Sequence, residues 1–202
     1  MSEIKQIISS LELMPFQKGK EGICVDNICP LNNFICNDNL HLPELKNIGG
    51  VYVFWWSGNI NKFTNALNSC SYYLKAKRSH KELIKIQFTN EWVENSTINR
   101  NICLYIGKST DLKSRISKHL KLGTKDIWNK SKKISGIKPN SESQLRIGVE
   151  RVFNKSILDG LIDDISISWV TLDGYENAIN RFYLENYFIG KLFPLFNIDI
   201  ER

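Results

Sequence analysis

The sequence contains no apolar run approaching the roughly 18 residues that a membrane span requires. Its N-terminus carries Glu3 in a mixed polar stretch, where a secretory signal would have a basic lead and an apolar core. The expectation is a soluble, cytoplasmic protein. A disulfide framework is missing as well. At 202 residues, folding buries about 70% of the surface the unfolded chain exposes, so the core needs no staple. Cys24, Cys29 and Cys36, with His41 nearby, match neither a Cys-x2-Cys knuckle nor a zinc finger, and reduced thiols are expected there. No internal repeat or Pro/Ser-rich linker divides the chain, and 42% hydrophobic content excludes disorder.

Acidic residues are scarce in one segment. Residues 108–138 hold ten basic side chains against Asp111 and Asp126, a local charge of +8 in a chain of net +6, which leaves −2 for the remainder. Such a stretch suits a polyanion, because each neutralised phosphate releases condensed counterions. A solvated surface would carry the same charge, so chemistry has to distinguish the two.

Helical spacing of Ile4, Ile7, Ile8 and Leu11 predicts an N-terminal helix before Pro15, followed by an irregular stretch rich in Asn, Gly and Pro. Val51 to Trp56, between Gly49-Gly50 and Ser57-Gly58, reads as a strand. Ile60, Phe63, Leu67 and Leu74 predict a helix over 60–78, and Ile84, Ile86 and Phe88 a strand over 83–88. A second apolar strand covers 102–106, ended by Gly107, and a helix capped by Ser109 or Thr110 runs to about 122. Gly136 and Pro139 mark a loop. Further on come a helix around 145–153, a half-buried strand at 165–169 and a last helix over 175–191, before Pro194. The fold class is α/β in the α+β sense, with mostly antiparallel strands.

The turn from Tyr105 to His119 concentrates reactive side chains. Arg115 and His119 are four residues apart, hence neighbours on one helix face, with Lys108 in the turn before them. Lys, Arg and His converging on a helix N-terminus suggest an anion site. Gly50-Val51-Tyr52, then Tyr105-Ile106-Gly107-Lys108-Ser109, then Leu112, Arg115 and His119, resemble the GIY-YIG nuclease family. Its pattern places Lys three, Arg ten, and His or Tyr fourteen residues after the second tyrosine, as Lys108, Arg115 and His119 stand to Tyr105. Glu185 in Phe182-Tyr183-Leu184-Glu185-Asn186 and Asn197 in Phe193-Pro194-Leu195-Phe196-Asn197 look like the family's catalytic Glu and Asn. The chain departs from the pattern in one respect: 53 positions separate Tyr52 from Tyr105, where most relatives have a short loop. Long insertions cost little loop entropy.

The resemblance implies a small three-stranded, mostly antiparallel sheet flanked by helices, in which the two tyrosine strands are neighbours. It divides the chain into an extension, 1–47, and a nuclease domain, 48–199, with a helix-strand insertion at about 59–100. It also implies a DNA endonuclease with one Mg²⁺ or Mn²⁺ per active site held by Glu185, a phosphate braced by Arg115, and Tyr52 or Tyr105 as the proton acceptor. A free phenol titrates near pH 10, so that role calls for lowering by Lys108 and Arg115. His119 is assigned to orienting the phosphate or a tyrosine hydroxyl, and Asn197 to holding the Glu185 helix or the Tyr52 loop.

DNA contacts are expected from Lys113, Lys118, Lys121, Lys132 and Lys133. Because the nuclease fills most of the chain, a sequence-specific, restriction-like homodimer is the leading expectation, ahead of repair, mobile-element or structure-specific roles. A catalytically silent nucleic-acid-binding module is the alternative of another class. A nuclease acting on RNA or single strands, with Trp55, Trp56, Tyr72 and Tyr73 as stacking surfaces, is a third.

Overall fold

The computed structural model describes residues 28–36, 39–42, 45, 47–75, 83–121, 143–158 and 160–198. The predicted N-terminal helix, the 136–139 loop, Lys132 and Lys133 lie outside the described residues, as do residues 76–82 and the side chains of Lys75 and Lys121.

Nine strands and five α-helices succeed one another among the described residues. The first three strands, β1 (Cys29–Pro30), β2 (Ile35–Cys36) and β3 (Asn39–Leu40), are short, and β2 pairs only with β3. They precede β4 (Gly50–Trp56), α1 (Ile60–Ser69), β5 (Tyr72–Lys75), β6 (Leu83–Ile86), α2 (Asn90–Asn95) and β7 (Thr97–Ile98). Then follow β8 (Asn101–Ser109), α3 (Leu112–Lys121), α4 (Gln144–Phe153), β9 (Ile165–Thr171) and α5 (Ala178–Leu192).

The main sheet has the order β1-β9-β4-β8-β7, with every pairing antiparallel. It is therefore five-stranded, where three strands were expected. The three long central strands β9, β4 and β8 are flanked by two-residue strands on either edge. The two tyrosine strands do pair as neighbours, Tyr52 lying opposite Gly107. β8 runs on to Ser109 instead of stopping at Gly107, because β4 supplies partners to its end.

Each sheet face has its own core. Tyr52, Phe54 and Trp56 pack with Leu112, Ile116 and Leu120 of α3, Leu145 and Val149 of α4, and Phe63 of α1. On the other face Val51, Val53, Trp55 and Ile106 pack with Leu184, Phe188 and Leu192 of α5. Both tryptophans are fully buried, and so is Tyr72, which leaves Tyr73 as the one exposed ring of the four proposed for base stacking. The β9 strand is likewise buried on both faces, not half-buried: Ser168 accepts the Trp55 indole N–H at 2.8 Å.

The helix expected over 60–78 ends at Ser69. Tyr72 to Lys75 instead forms a hairpin with Leu83 to Ile86, Tyr72 opposite Ile86 and Leu74 opposite Ile84. The aromatic, β-favouring Tyr72-Tyr73 pair and the packing of Tyr72 on Phe88 and Phe196 outweigh the helical spacing of Leu74. The strand expected over 83–88 closes at Ile86. Thus the described residues of 59–100 form a helix, an antiparallel strand pair and a short helix, and the chain returns to the sheet through β7, paired with β8 at Asn101 and Ile102. The last helix begins as a 3-10 turn, Tyr175–Asn177, before α5 proper.

Behind the sheet, Gly148 of α4 faces the Phe196 ring so closely that a Cβ would fall 2.3 Å from it. Phe196 is fully buried and stacks on Tyr72, so it has nowhere to move. Gly148→Ala should cost about 1–3 kcal/mol through overpacking. Gly190→Ala on α5, where a Cβ meets nothing within 4 Å, should be neutral or stabilising by up to about 1 kcal/mol. Urea midpoints of the two variants, read at unchanged m, check the contrast.

Candidate active site

Tyr52 and Tyr105 share the α3 side of the sheet only because β8 is irregular. The register shifts between Phe54 and Trp55: Phe54 lies opposite Tyr105 and Trp55 opposite Cys103, so Leu104 is an extra residue on β8. Leu104 and Tyr105 consequently point to the same face, and strict alternation from Ile102 would have sent Tyr105 to the other one. The phenol rings of Tyr52 and Tyr105 stand 6.3 Å apart. Gly107 is required by the same packing, since a Cβ there would lie 2.4 Å from the Tyr52 hydroxyl.

α3 presents its basic edge to these rings. Its start is fastened to the rest of the molecule: Leu112 N–H donates to Ile48 C=O at 2.9 Å and Lys113 N–H to Leu45 C=O at 3.2 Å. Asp111 caps it, its carboxylate accepting the Ser114 N–H at 2.8 Å, while Ser109 accepts the Asp111 N–H at 3.1 Å. The cap is thus Asp111, not Ser109 or Thr110. The helix N-terminus is filled by internal acceptors and offers no open anion site, contrary to expectation. Held this way, Arg115 Nε–H donates to the Tyr52 oxygen at 3.3 Å. His119 Nε2 is 2.8 Å from the same oxygen, and its ring packs 5.5 Å from those of Tyr52, Tyr105 and Phe54.

Glu185 arrives from α5, on the opposite side of the sheet. Its carboxylate pairs with Lys108 at the end of β8, and the Lys108 ammonium lies over the Phe182 ring at 5.1 Å. The Glu185 side chain is 15% exposed, a partly enclosed carboxylate as its helical flanks Phe182 and Ile189 suggest. Asn197 holds β8 and not α5 or the Tyr52 strand. Its side-chain oxygen accepts the Ile106 N–H at 2.7 Å and its amide donates to the Ile106 C=O at 2.8 Å, pinning the residue after Tyr105.

The electrostatics reverse one expectation. Burial holds the Tyr52 hydroxyl well above the usual phenol range; the neighbouring Tyr105 adds to the rise and Arg115 opposes it without prevailing. Tyr105 is raised by burial too, with Arg115 pulling it back and Glu185 pushing it up. Arg115, not Lys108, is the cation that lowers the two phenols, and the Glu185 carboxylate paired with Lys108 raises both. His119, buried and facing the Arg115 and Arg146 charges, is lowered to about 3 and stays neutral at ordinary pH.

Of the predicted site residues, Tyr52, Tyr105, Arg115 and His119 form one cluster, with Lys108 and Glu185 as an ion pair whose carboxylate charge reaches both phenols. Asn197 supports them through the backbone. On α3, Lys118 is exposed and Lys113 half-buried. Sequence reasoning missed Ser143, whose hydroxyl is 3.0 Å from His119 Nδ1 and accepts Arg146 N–H and Nε–H at 3.3 Å each. Its position as the N-cap of α4 was the available signal. Among the described residues no group of three or more His, Cys, Asp or Glu side chains is arranged to hold a metal, and no helix is long and apolar enough to cross a membrane. No protein-family model matches the chain, and no curated protein or solved structure matches it significantly.

His119 has a folded-state value below its unfolded value of 6.5. Its burial therefore leaves stability unaffected above pH 6.5 and subtracts from it as pH falls toward 3, because only the unfolded chain takes up the proton. The loss approaches about 1.4 kcal/mol per pH unit. The stability difference between the native chain and His119→Gln should be constant above that pH and shrink steadily below it, as urea unfolding across acid pH would show.

Proposed function

We propose that this chain is a metal-dependent DNA endonuclease that hydrolyses phosphodiester bonds, acting as a sequence-specific, restriction-like enzyme. The observation that carries the reading is the convergence of two tyrosines, an arginine and a histidine from three elements on one buried hydroxyl cluster, beside a single enclosed carboxylate. Their order and spacing resemble the GIY-YIG nucleases. DNA as substrate, a homodimer and a cytoplasmic location belong to this proposal.

The donor set fits a hydrated divalent cation. Glu185 already draws a cation, the Lys108 ammonium, to its oxygen, and magnesium keeps most of its waters and needs only one or two carboxylates. A cation bound there supplies charge neutralisation at the phosphate and a more acidic water. Arg115 braces the phosphate with its planar fork, which already lies beside both phenols. Tyr105, 8% exposed against none for Tyr52, is the phenol within reach of solvent; it first gives up its own hydrogen to solvent and then, as the phenolate, accepts the proton of the attacking water. Neutralising Glu185 removes one of the influences that keep this phenol protonated. Lys108, released from Glu185, is free to meet a phosphate oxygen. His119 and Tyr52 orient Tyr105 and Arg115.

Supercoiled plasmid with Mg²⁺ tests the reading. Discrete fragments are expected, abolished by EDTA and reduced roughly hundredfold or more in Glu185→Gln, in line with several kcal/mol of lost charge stabilisation. Salt-sensitive binding without cutting on several DNAs would favour the silent binding module. Because both phenols titrate above their ordinary value, the cleavage rate should keep rising with pH from about 6 to 9 instead of levelling near neutrality. Initial rates across that range check it.

A further inference from the structure

Ser143 lies at the head of α4, 24 residues beyond His119 in the chain, yet its hydroxyl touches the imidazole. A hydroxyl has two acceptor positions and one hydrogen. At Ser143 both acceptor positions are filled by Arg146, through its backbone N–H and its Nε–H. The single hydroxyl hydrogen is left for the one remaining neighbour among the described residues, His119 Nδ1, at 3.0 Å. A neutral imidazole that accepts at Nδ1 carries its own hydrogen on Nε2, and that hydrogen points at the Tyr52 oxygen 2.8 Å away. The Tyr52 oxygen receives Arg115 Nε–H as well, so the phenol hydrogen of Tyr52 must be directed elsewhere, and the Tyr105 phenol, its ring 6.3 Å away, is the group it can turn toward.

We infer that Ser143 is a positioning residue that fixes His119 as the Nε2–H tautomer and so sets a one-way chain of donors, Arg146 to Ser143 to His119 to Tyr52 to Tyr105. The chain leaves the Tyr105 hydroxyl hydrogen as its terminus, on the more exposed of the two phenols, and this hydrogen must leave before that oxygen can take up another proton. Its catalytic consequence rests on the nuclease reading above; its direction does not. Arg115 and Arg146 are the charged groups that face His119, and both disfavour a second proton on the ring.

Substitutions at Ser143 separate capping from direction. Ser143→Asp keeps a good helix cap but offers only acceptors, so it should draw the proton to Nδ1 and reverse the chain. Ser143→Thr keeps both the cap and the hydroxyl hydrogen. The full chain, labelled with ¹⁵N-histidine, reports the tautomer in long-range proton–nitrogen spectra, with His119 assigned by its loss in His119→Gln. Expected are a protonated Nε2 and bare Nδ1 in the native chain and in Ser143→Thr, and a protonated Nδ1 in Ser143→Asp. If Ser143→Asp does not fold, Ser143→Ala should show a mixture of the two tautomers in its place. A native His119 protonated at Nδ1 or at both nitrogens, or a tautomer indifferent to Ser143, would overturn the inference.

In the plasmid assay, Ser143→Asp should lower kcat by about tenfold or more with KM unchanged, while Ser143→Thr stays near native. A reversed tautomer with native kcat would overturn the positioning role. A native chain that cuts no DNA under any condition overturns the nuclease reading and the catalytic consequence together, while the spectra decide the direction independently.

Discussion

Tyr52 lies across Gly107, its partner in the β4–β8 ladder, so tightly that no side chain fits beneath it. That contact depends on strands whose tyrosines are 53 positions apart in the chain meeting in one register, and nearly everything in the candidate site follows from it. With Tyr52 opposite Gly107 and one extra residue on β8, Tyr105 turns to the α3 face, and Arg115 and His119 can meet both phenols. A slip of one residue would move one of the tyrosines to the α5 side and separate the cluster.

Several devices hold that register. The chain leaves α5 through Phe193 in a left-handed conformation and crosses the β8 edge from one core to the other. On the way Leu195 and Phe196 donate to the carbonyls of Cys103 and Leu104, and the Asn197 amide takes both backbone groups of Ile106. This covers a stretch of β8 that β7 is too short to pair, an edge that would otherwise present free backbone groups. The segment 193–197 thus closes the sheet, bridges the two cores and fixes the strand that bears Tyr105. The Phe193 carbonyl also anchors the insertion, accepting from the Trp92 indole at 2.9 Å and from the Ser96 hydroxyl.

Burial dominates charge at the phenols. Arg115 favours the ionised form of each, but a hydroxyl removed from water loses more than one half-buried guanidinium returns. The cluster is therefore protonated and hydrogen-bonded as it stands, and its cationic and anionic partners at the rim, Lys108 and Glu185, satisfy one another.

Much of this was legible from residues alone. The β-branched and aromatic runs at 51–56 and 102–106, the α3 and α4 stripes and the final helix follow from local period and bounding glycines, because burial of one face imposes that period wherever the element ends up. The spacing of Tyr105, Arg115 and His119 was legible as well, and the fold brings these three together with Tyr52. Tertiary structure decided the rest. Tyr72-Tyr73 became a strand because Phe88 and Phe196 lay ready to pack against it. The bulge at Leu104 arises only when β8 meets β4, and the helix N-terminus was closed by Leu45 and Ile48 from a segment without any regular pattern. Ser143 looked like an ordinary cap until α4 came to rest beside His119. A sequence determines which side chains are available and which faces they seek; which atoms share a hydrogen bond, and how far burial shifts a proton, depends on neighbours that only the folded chain brings within 3 Å.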